Sequence, residues 1–510
     1  MKKIILSTLA MASILSITSC NTEFETDVKD YQITAGEADF STFVSLGNSL
    51  TAGYRDGALY LDGQNESYPN IIAEQMKKAG GGAFTQPLMP NNTGGFTNLG
   101  LPGKLTLQLI SGKLTPVPSA PAGPLNFVSG SYNNLGVPGA KTFHLLANGY
   151  GNPSGIANGT ANPYFARFAS AANTSVLADA VKKNPTFYSL WIGNNDVLFY
   201  ATSGGIGVNR TGDMNPAGYG KNDITDPTLF AGTIRTIIQT MNTAGAKKGV
   251  IANIPNVTAI PFFTAIPYNA VPLKDTEPAA LNTSLLSPLK TALTALGHGD
   301  RIQLATTGKN PLLIKDESLT NLSAQLTAAL IAAGVNANLA GIMGLTYGQA
   351  RHATHEDLVL LTTGAVINTP PTGAVINTPP TGLPIPNMKY GISYPLEDMH
   401  ILTKTEVQEV LTATATYNHS IQQLAEQFGL AFVDANAKME ELGKNSGILY
   451  NGTNYNASFV TGGAFSLDGV HLTGRGYAII ANEFIKAINK KYNATLQQVN
   501  PNHYSGITFP

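Results

Sequence analysis

The sequence contains a serine, an aspartate and a histidine whose types and places along the chain could support acyl transfer. Ser49 follows an apolar run, residues 42–46, that ends at Gly47. Such a run predicts a buried strand, and a serine on the turn after it exposes its hydroxyl at the edge where α/β folds bind ligands. Asp468 and His471 precede the last predicted helix. A carboxylate at this spacing can orient the imidazole through Nδ1 while Nε2 faces the serine.

Two further strand ends offer hydrogen-bond donors for the negative charge of a tetrahedral intermediate. The loop at 134–139 ends in Gly139, whose backbone N–H can approach a ligand closely. The segment from Trp191 to Asp196 carries amide side chains, and we expect Trp191 itself to face the core. Each preorganised donor of this kind is worth about 10²–10³ in kcat.

Strands and helices alternate in the regions that carry these residues. Apolar β-rich runs occupy 42–46, 186–192, 249–254 and 430–434, with short strand candidates around 125–137. Helical patterns occupy 69–78, 227–243, 406–428 and 474–492. This alternation predicts an α/β fold whose parallel sheet is covered by helices on both faces.

Residues 256–403 interrupt the alternation, and we interpret them as an insertion that is a candidate lid or cap. They hold Pro-rich loops and two Ala/Leu-rich helices, near 280–296 and 318–333. The sequence TGAVINTPP occurs at 363–371 and again at 372–380. Two copies are too few for a solenoid, so we interpret them as a duplication in an exposed loop. The apolar-rich insertion favours acyl chains among the candidate substrates.

Composition excludes several classes of protein. The 510 residues include 31 Lys and Arg against 32 Asp and Glu. A near-neutral chain lacks the basic face that nucleic-acid binding needs, so we expect no nucleic-acid partner. With 43% hydrophobic residues, the chain can bury a large core and is not disordered.

The N-terminus predicts export. Lys2 and Lys3 precede an apolar run, Ile4–Ile17, and small residues lead to Cys20, the only cysteine. These features describe a signal peptide over 1–19, too short to span a bilayer. Residues 20–40 are polar and predict a tether, which leaves 41–510 as one domain with the insertion. Cys20 is either a modified residue at the cleavage site or a free cysteine in an ordinary cleaved signal peptide.

Three other patterns imitate functional sites, and we expect none of them to act. Glu397-Asp398-Met399-His400 imitates the Asp-x-x-His pattern but precedes the helix at 406–428. His352 and His355 match no zinc-protease spacing, so we expect no metal. The run 136–142 approaches a phosphate loop, but Pro138 lacks an N–H and Ala140 replaces a required glycine.

The four candidate segments, in this order, resemble blocks I, II, III and V of the SGNH/GDSL hydrolase superfamily. The matches are Gly47-Asn48-Ser49-Leu50, Gly139, Gly193-x-Asn195-Asp196 and Asp468-x-x-His471. The resemblance covers about 40–255 and 404–492, and lipoproteins of Bacteroidetes of this size carry similar blocks. It implies a flavodoxin-like three-layer α/β/α sandwich without a metal or other cofactor.

The resemblance also implies roles. Ser49 would be the nucleophile, His471 the base and Asp468 its orienting partner. The oxyanion hole would comprise the N–H groups of Ser49 and Gly139 and the side chain of Asn195. Asn48 departs from the family pattern, which has Asp there, but this position is outside the catalytic set.

Residues 17–20 resemble a bacterial lipobox, which implies lipidation of Cys20 and anchoring of an exported chain to the cell envelope, with the outer membrane as the expected site. Two functions from different classes fit these features. The first is a serine esterase or lipase acting on a small-molecule, lipid or glycan ester. The alternative is a non-catalytic glycan- or lipid-binding lipoprotein that reuses the fold. Substrate chain length, alcohol and oligomeric state stay open.

Overall fold

The computed structural model describes residues 32–371 and 388–510. The predicted signal peptide, Cys20 and the second copy of the duplication lie outside the described residues. Within the two described ranges, no helix combines the length and the apolar character that a membrane crossing requires.

A parallel sheet of five strands forms the centre of the described chain. The strands are β1 (Phe43–Gly47), β2 (Asn134–Gly136), β3 (Phe187–Trp191), β4 (Lys248–Ala252) and β5 (Ala431–Val433). Their order is β5-β4-β3-β1-β2, and every neighbouring pair is parallel. This is the flavodoxin-like order, in which ligands bind at the carboxyl ends of β1 and β3.

Six helices matter for the site and the layers. They are α1 (Ser49–Ala52), α2 (Tyr68–Lys78), α3 (Asn195–Thr202), α4 (Pro227–Thr243), α5 (Lys404–Gln427) and α6 (Gly474–Tyr492). Alternate strand residues face opposite layers. On one face, Phe187 and Trp191 of β3 pack with α2 and α6. On the other, Tyr188 and Leu190 pack with α4 and α5. The predicted three-layer α/β/α fold is therefore confirmed.

Helix boundaries follow capping residues. The helix α5 begins at Lys404, two residues before the predicted start, because Thr403 and Glu406 form a reciprocal capping box. The hydroxyl of Thr473 accepts a hydrogen bond from the Gly476 N–H, and α6 begins at Gly474 as predicted.

The described part of the insertion has hydrophobic clusters of its own. One cluster joins its helices through Leu285, Leu289 and Leu326, and another contains Leu312 and Ile314. The helices are Glu277–Leu281, Ser287–Ala295, Ser323–Ala332 and Ala337–Tyr347, and a π-helical turn, Asn282–Leu286, joins the first two. The helix at 337–347 was not predicted. The insertion also contains three pairs of short antiparallel strands: Val271–Leu273 with Gly308–Asn310, Leu313–Lys315 with Ala350–His352, and Leu358–Val359 with Ile401–Leu402.

Short elements decorate the sandwich. Two hairpins, Leu105–Ile110 with Lys113–Pro118 and Ile448–Tyr450 with Thr453–Tyr455, were not predicted from the sequence. The remaining α-helices of the described residues are Leu61–Asn65, Pro163–Ala166, Val176–Val181 and Ala435–Gly443, together with Pro261–Thr264 near the start of the insertion.

Candidate active site

Ser49 opens the short helix α1 at the carboxyl end of β1. The Asn48 side chain accepts a hydrogen bond from the Leu50 N–H at 3.1 Å and so caps the helix. The turn requires Gly47, since a Cβ there would lie 2.4 Å from the carbonyl oxygen of Trp191. This places the Ser49 hydroxyl at the edge between β1 and β3 that the sequence predicts for a ligand site.

His471 links Ser49 to Asp468 through both ring nitrogens. Its Nε2 lies 2.9 Å from Ser49 Oγ, and its Nδ1 lies 2.9 Å from Asp468 Oδ2. The structure therefore brings together the three side chains that the sequence singles out, although they stand 422 positions apart at the extremes.

The Asp468 carboxylate is held in its ionised form. Burial alone would raise its pKa, but the charge and hydrogen bond of His471 and the backbone N–H groups of Val470 and His471 outweigh burial. The pKa of Asp468 consequently lies well below its usual range. An ionised Asp468 accepts from Nδ1–H, which leaves the lone pair of Nε2 to face the serine hydroxyl.

A tight turn that sequence reasoning missed supports this carboxylate. The backbone N–H of Gly57 donates to Asp468 Oδ2 at 2.9 Å, and the Asp56 carboxylate accepts from the Leu467 N–H at 3.0 Å. Asp56 and Gly57 both have positive φ, 52° and 74°, between the paired residues Arg55 and Ala58. Asp-Gly is a strong signal for such a two-residue turn, so the sequence did contain a marker for it.

Two further contacts fix the Asp468–His471 loop. The Phe262 N–H, from the start of the insertion, donates to the Gly469 carbonyl at 2.9 Å. The Tyr54 ring lies 4.7 Å from the imidazole of His471, centroid to centroid. The loop is thus held from the insertion and from the segment that follows Ser49.

Three potential donor groups line the cleft at Ser49. In the described part of the chain, the backbone N–H groups of Ser49 and Gly139 meet no acceptor. Asn195 Nδ2 donates to the Ala140 carbonyl at 2.9 Å, which orients the amide and leaves it a second N–H. Ser49, Gly139 and Asn195 all line the same cleft. The three groups named from the sequence as an oxyanion hole therefore lie in one cleft.

The neighbours of Asn195 have structural roles. Asn48 Nδ2 donates to Asn194 Oδ1 at 3.1 Å, which ties the serine turn to the start of α3. Asp196 accepts from the backbone and the hydroxyl of Thr142, at 2.9 and 2.7 Å. An ionised Asp at position 48 could not donate this hydrogen bond to Asn194 Oδ1.

A cleft of about 900 Å³ opens over Ser49. Its lining is mainly apolar and aromatic, and it includes Tyr54, Leu99, Leu101, Phe143, Tyr150, Ile156, Tyr164, Leu198, Phe199, Tyr219 and Val470. Within the described residues, the insertion lines it through Phe262 alone. Among the described residues, most of the apolar lining of the cleft therefore comes from segments outside the insertion. Its role as a lid stays a prediction.

The two histidine patterns lie apart from this cleft, whereas the run 136–142 lines it through Pro138, Gly139 and Lys141. His400 Nδ1 accepts from the Glu397 N–H, and His400 is absent from the lining described above. His352 Nδ1 accepts from the Gln303 N–H at 2.9 Å, and burial lowers the pKa of His352 to about 4. Lys141 Nζ donates a hydrogen bond to the Asp223 carbonyl at 2.5 Å. Among the described residues, no group of three or more His, Cys, Asp or Glu could hold a metal ion.

Solved structures similar to the chain include that of an esterase. It is a mutant of an acetyl-xylooligosaccharide esterase from Geobacillus Stearmophilus, with 11% sequence identity and a TM-score of 0.30 over 90% of this chain and 96% of that chain. No protein-family model matches the chain, and a search of curated proteins finds no match. The chemistry is therefore inferred from the site itself.

Proposed function

We propose that the chain is a serine esterase of the SGNH/GDSL type that hydrolyses carboxylic esters through an acyl-enzyme. The observation that carries the proposal is the continuous hydrogen-bonded series from Ser49 Oγ through the two nitrogens of His471 to Asp468. A serine hydroxyl becomes a nucleophile when a base of this kind removes its proton during attack.

In the acylation step, Ser49 Oγ attacks the ester carbonyl carbon while His471 Nε2 takes the hydroxyl proton. The carbonyl oxygen gains negative charge, which the N–H groups of Ser49 and Gly139 and the amide of Asn195 stabilise. The intermediate collapses, the alkoxy oxygen receives the proton from His471, and the alcohol leaves. Ser49 then carries the acyl group as an ester.

In the deacylation step, His471 takes a proton from water as the water oxygen attacks the acyl-enzyme carbonyl. The same donors stabilise the second tetrahedral intermediate. Its collapse returns the proton to Ser49 Oγ and releases the carboxylic acid. Throughout the cycle Asp468 stays ionised and stabilises the imidazolium that forms twice per turnover.

The cleft favours esters with a sizeable apolar acyl or alcohol group. Its volume of about 900 Å³ lies within the usual range of ligand sites, about 300–1,000 Å³, and its walls include several Leu, Phe and Tyr side chains. His144 lines the cleft too, and burial, with a smaller effect of Lys141, lowers its pKa to about 4. A neutral His144 adds no charge to this apolar wall near neutral pH.

A non-catalytic binding lipoprotein is the weaker proposal. A cleft that only binds a ligand does not need a serine hydrogen-bonded to a histidine. Nor does it need, beside that serine, backbone N–H groups that have no acceptor. The N–H groups of Ser49 and Gly139 are donors of that kind.

Hydrolysis of p-nitrophenyl esters of increasing acyl length tests the proposal. We expect Ser49→Ala and His471→Ala each to lower kcat by a factor on the order of 10⁴ or more, with far-UV circular dichroism unchanged. The matched control is His400→Ala, which removes the histidine of the imitating pattern and should leave turnover intact. Equal turnover in wild type and Ser49→Ala would refute the proposal.

A further inference from the structure

The hairpin Leu105–Ile110 with Lys113–Pro118 has one apolar face along its whole length. Residues directly opposite on an antiparallel pair point to the same side, as do residues two apart on one strand. The pairs on this side are Leu105 with Pro118, Leu107 with Pro116 and Leu109 with Leu114. The pairs on the other side are Thr106 with Val117, Gln108 with Thr115 and Ile110 with Lys113.

The apolar face is buried at Leu107, in the middle of the first strand, and exposed towards the turn. Leu107 is 6% exposed, whereas Leu109 is 64% and Leu114 42% exposed, and Ile110, on the other side of the ribbon, is 47% exposed. Single exposed apolar residues are ordinary, but adjacent exposed leucines and an isoleucine at the end of a ribbon mark an interaction surface. We call Leu109, Ile110, Lys113 and Leu114 the hairpin tip.

The charge around the hairpin tip selects one class of partner. Residues 75–178 contain no Asp or Glu but include five Lys and one Arg. Lys113 belongs to the tip and Lys104 to its root. Exposed apolar side chains with lysines and no acidic residue on the same stretch of chain suit a phospholipid surface that contains anionic lipid. A symmetric contact between two copies would instead bring Lys113 towards its own counterpart.

The root of the hairpin is continuous with the wall of the cleft. Leu99 and Leu101, just before the hairpin, line the cleft over Ser49. The Leu105 N–H donates to the Asp56 carbonyl at 2.7 Å, and Lys104 Nζ lies 4.4 Å from the centre of the Tyr60 ring. Asp56 adjoins Gly57, whose N–H supports Asp468. A partner surface that binds the hairpin tip would therefore lie close to the wall of the cleft.

We propose that the hairpin tip docks on a phospholipid surface, its leucines and isoleucine entering the interface and Lys113 meeting anionic headgroups. Docking itself requires no catalysis. We infer that docking delivers lipid-borne esters to the cleft, and this part of the proposal rests on the proposed esterase function.

A fluorescent label at the turn tests the docking locally. Cys20 is the only cysteine, so the full chain with Cys20→Ala and Ser111→Cys carries one label, at the turn of this hairpin. The matched control is Asn451→Cys in the same background, at the turn of the hairpin 448–455. The replaced residues have φ of 49° and 45°, and each precedes a glycine of positive φ. Leu449, beside the control turn, is 71% exposed.

Both labelled proteins share one N-terminus, so any difference between them reports the hairpin. With vesicles of phosphatidylcholine and phosphatidylglycerol, we expect a blue-shifted emission and quenching by a lipid-borne quencher for the label at 111 alone. Leu109→Ser with Leu114→Ser should abolish the shift. On vesicles that contain phosphatidylglycerol, Lys113→Gln should reduce the fluorescence response of the label at 111. The reduced response should equal that of the unsubstituted tip on vesicles of phosphatidylcholine alone. Equal responses at 111 and 451, or none at 111, would overturn the proposal.

Two further measurements separate docking from catalysis and from self-association. Ser49→Ala should retain the full fluorescence response, because docking requires no turnover. The double leucine variant should lower hydrolysis of vesicle-borne esters about 10-fold and leave hydrolysis of monomeric esters unchanged. Sedimentation that detects a wild-type dimer, lost in the double variant, together with no response to vesicles would assign the hairpin tip to a second copy and reject a lipid surface.

Discussion

The backbone N–H of Gly57 lies 2.9 Å from Oδ2 of Asp468, the oxygen that also faces Nδ1 of His471. A backbone donor cannot rotate away as a side chain can, so it fixes the carboxylate in the orientation that holds the imidazole. The turn that follows the serine therefore supports the far end of the hydrogen-bonded series from Ser49 to Asp468.

Replacement of that carboxylate should reduce turnover more than it disturbs the fold. In Asp468→Asn, the amide no longer favours the tautomer with the proton on Nδ1, so His471 cannot serve as base. We expect kcat to fall by about 10³–10⁴ with the circular dichroism spectrum retained. Steady-state kinetics of the purified variant measure this, and a fall of less than 10-fold would exclude Asp468 as the orienting group.

The depressed pKa of Asp468 also predicts how stability depends on pH. Its ordinary value is 3.8, and the folded-state value is lower. The ionised carboxylate therefore stabilises the fold fully above about pH 4, and this contribution is lost as pH falls through the folded-state pKa. The difference in Tm between wild type and Asp468→Asn should therefore narrow as the pH falls below about 4. A difference that widens on acidification would contradict the sign of the shift.

Gly139→Ala should impair the transition state and the backbone together. Gly139 has φ of 84°, a conformation that costs an L residue on the order of 1 kcal/mol, and strain there would move the N–H. The control is Gly334→Ala in the insertion, where φ is 87° and an added Cβ meets nothing within 4 Å.

We expect both glycine variants to lose similar stability in chemical denaturation. Only Gly139→Ala should lose kcat, and equal activities in the two variants would remove Gly139 from the oxyanion hole.

Asn195→Ala removes the side-chain donor of the proposed oxyanion hole. We expect kcat to fall by about 10²–10³ and KM to change little, because the donor acts on charge that develops in the transition state. The control is Asn194→Ala, which leaves Asn48 Nδ2 without its acceptor and should cost about 1–3 kcal/mol of stability. Similar kcat values for the two variants would contradict the special role of Asn195.

Much of this site could be predicted from the sequence because its parts are short and local. The apolar run before Gly47 fixes β1, and the strand-to-helix turn fixes the direction of Ser49. Asp468 and His471 lie three residues apart on one loop, so their pairing is also a local property. The central sheet and its helix layers follow from apolar periodicity for the same reason.

The supporting contacts are non-local, and periodicity contains no information about them. Gly57 meets Asp468 across 411 positions, and Phe262 meets Gly469 from inside the insertion. The hairpin 105–118 was missed although 105–109 alternates apolar and polar residues, because Pro116 and Pro118 argue against a strand. Proline is tolerated there because the ribbon has only two strands, and its outer edges need no donors.

Reaction with a fluorophosphonate, followed by peptide mass mapping, tests the central proposal most directly. The reagent phosphonylates a serine only when a neighbouring base activates it. We expect one adduct, on Ser49, that is absent in Ser49→Ala, greatly slowed in His471→Ala and unchanged in His400→Ala. An adduct on another serine, or labelling of Ser49 at the wild-type rate in His471→Ala, would contradict the proposed serine esterase.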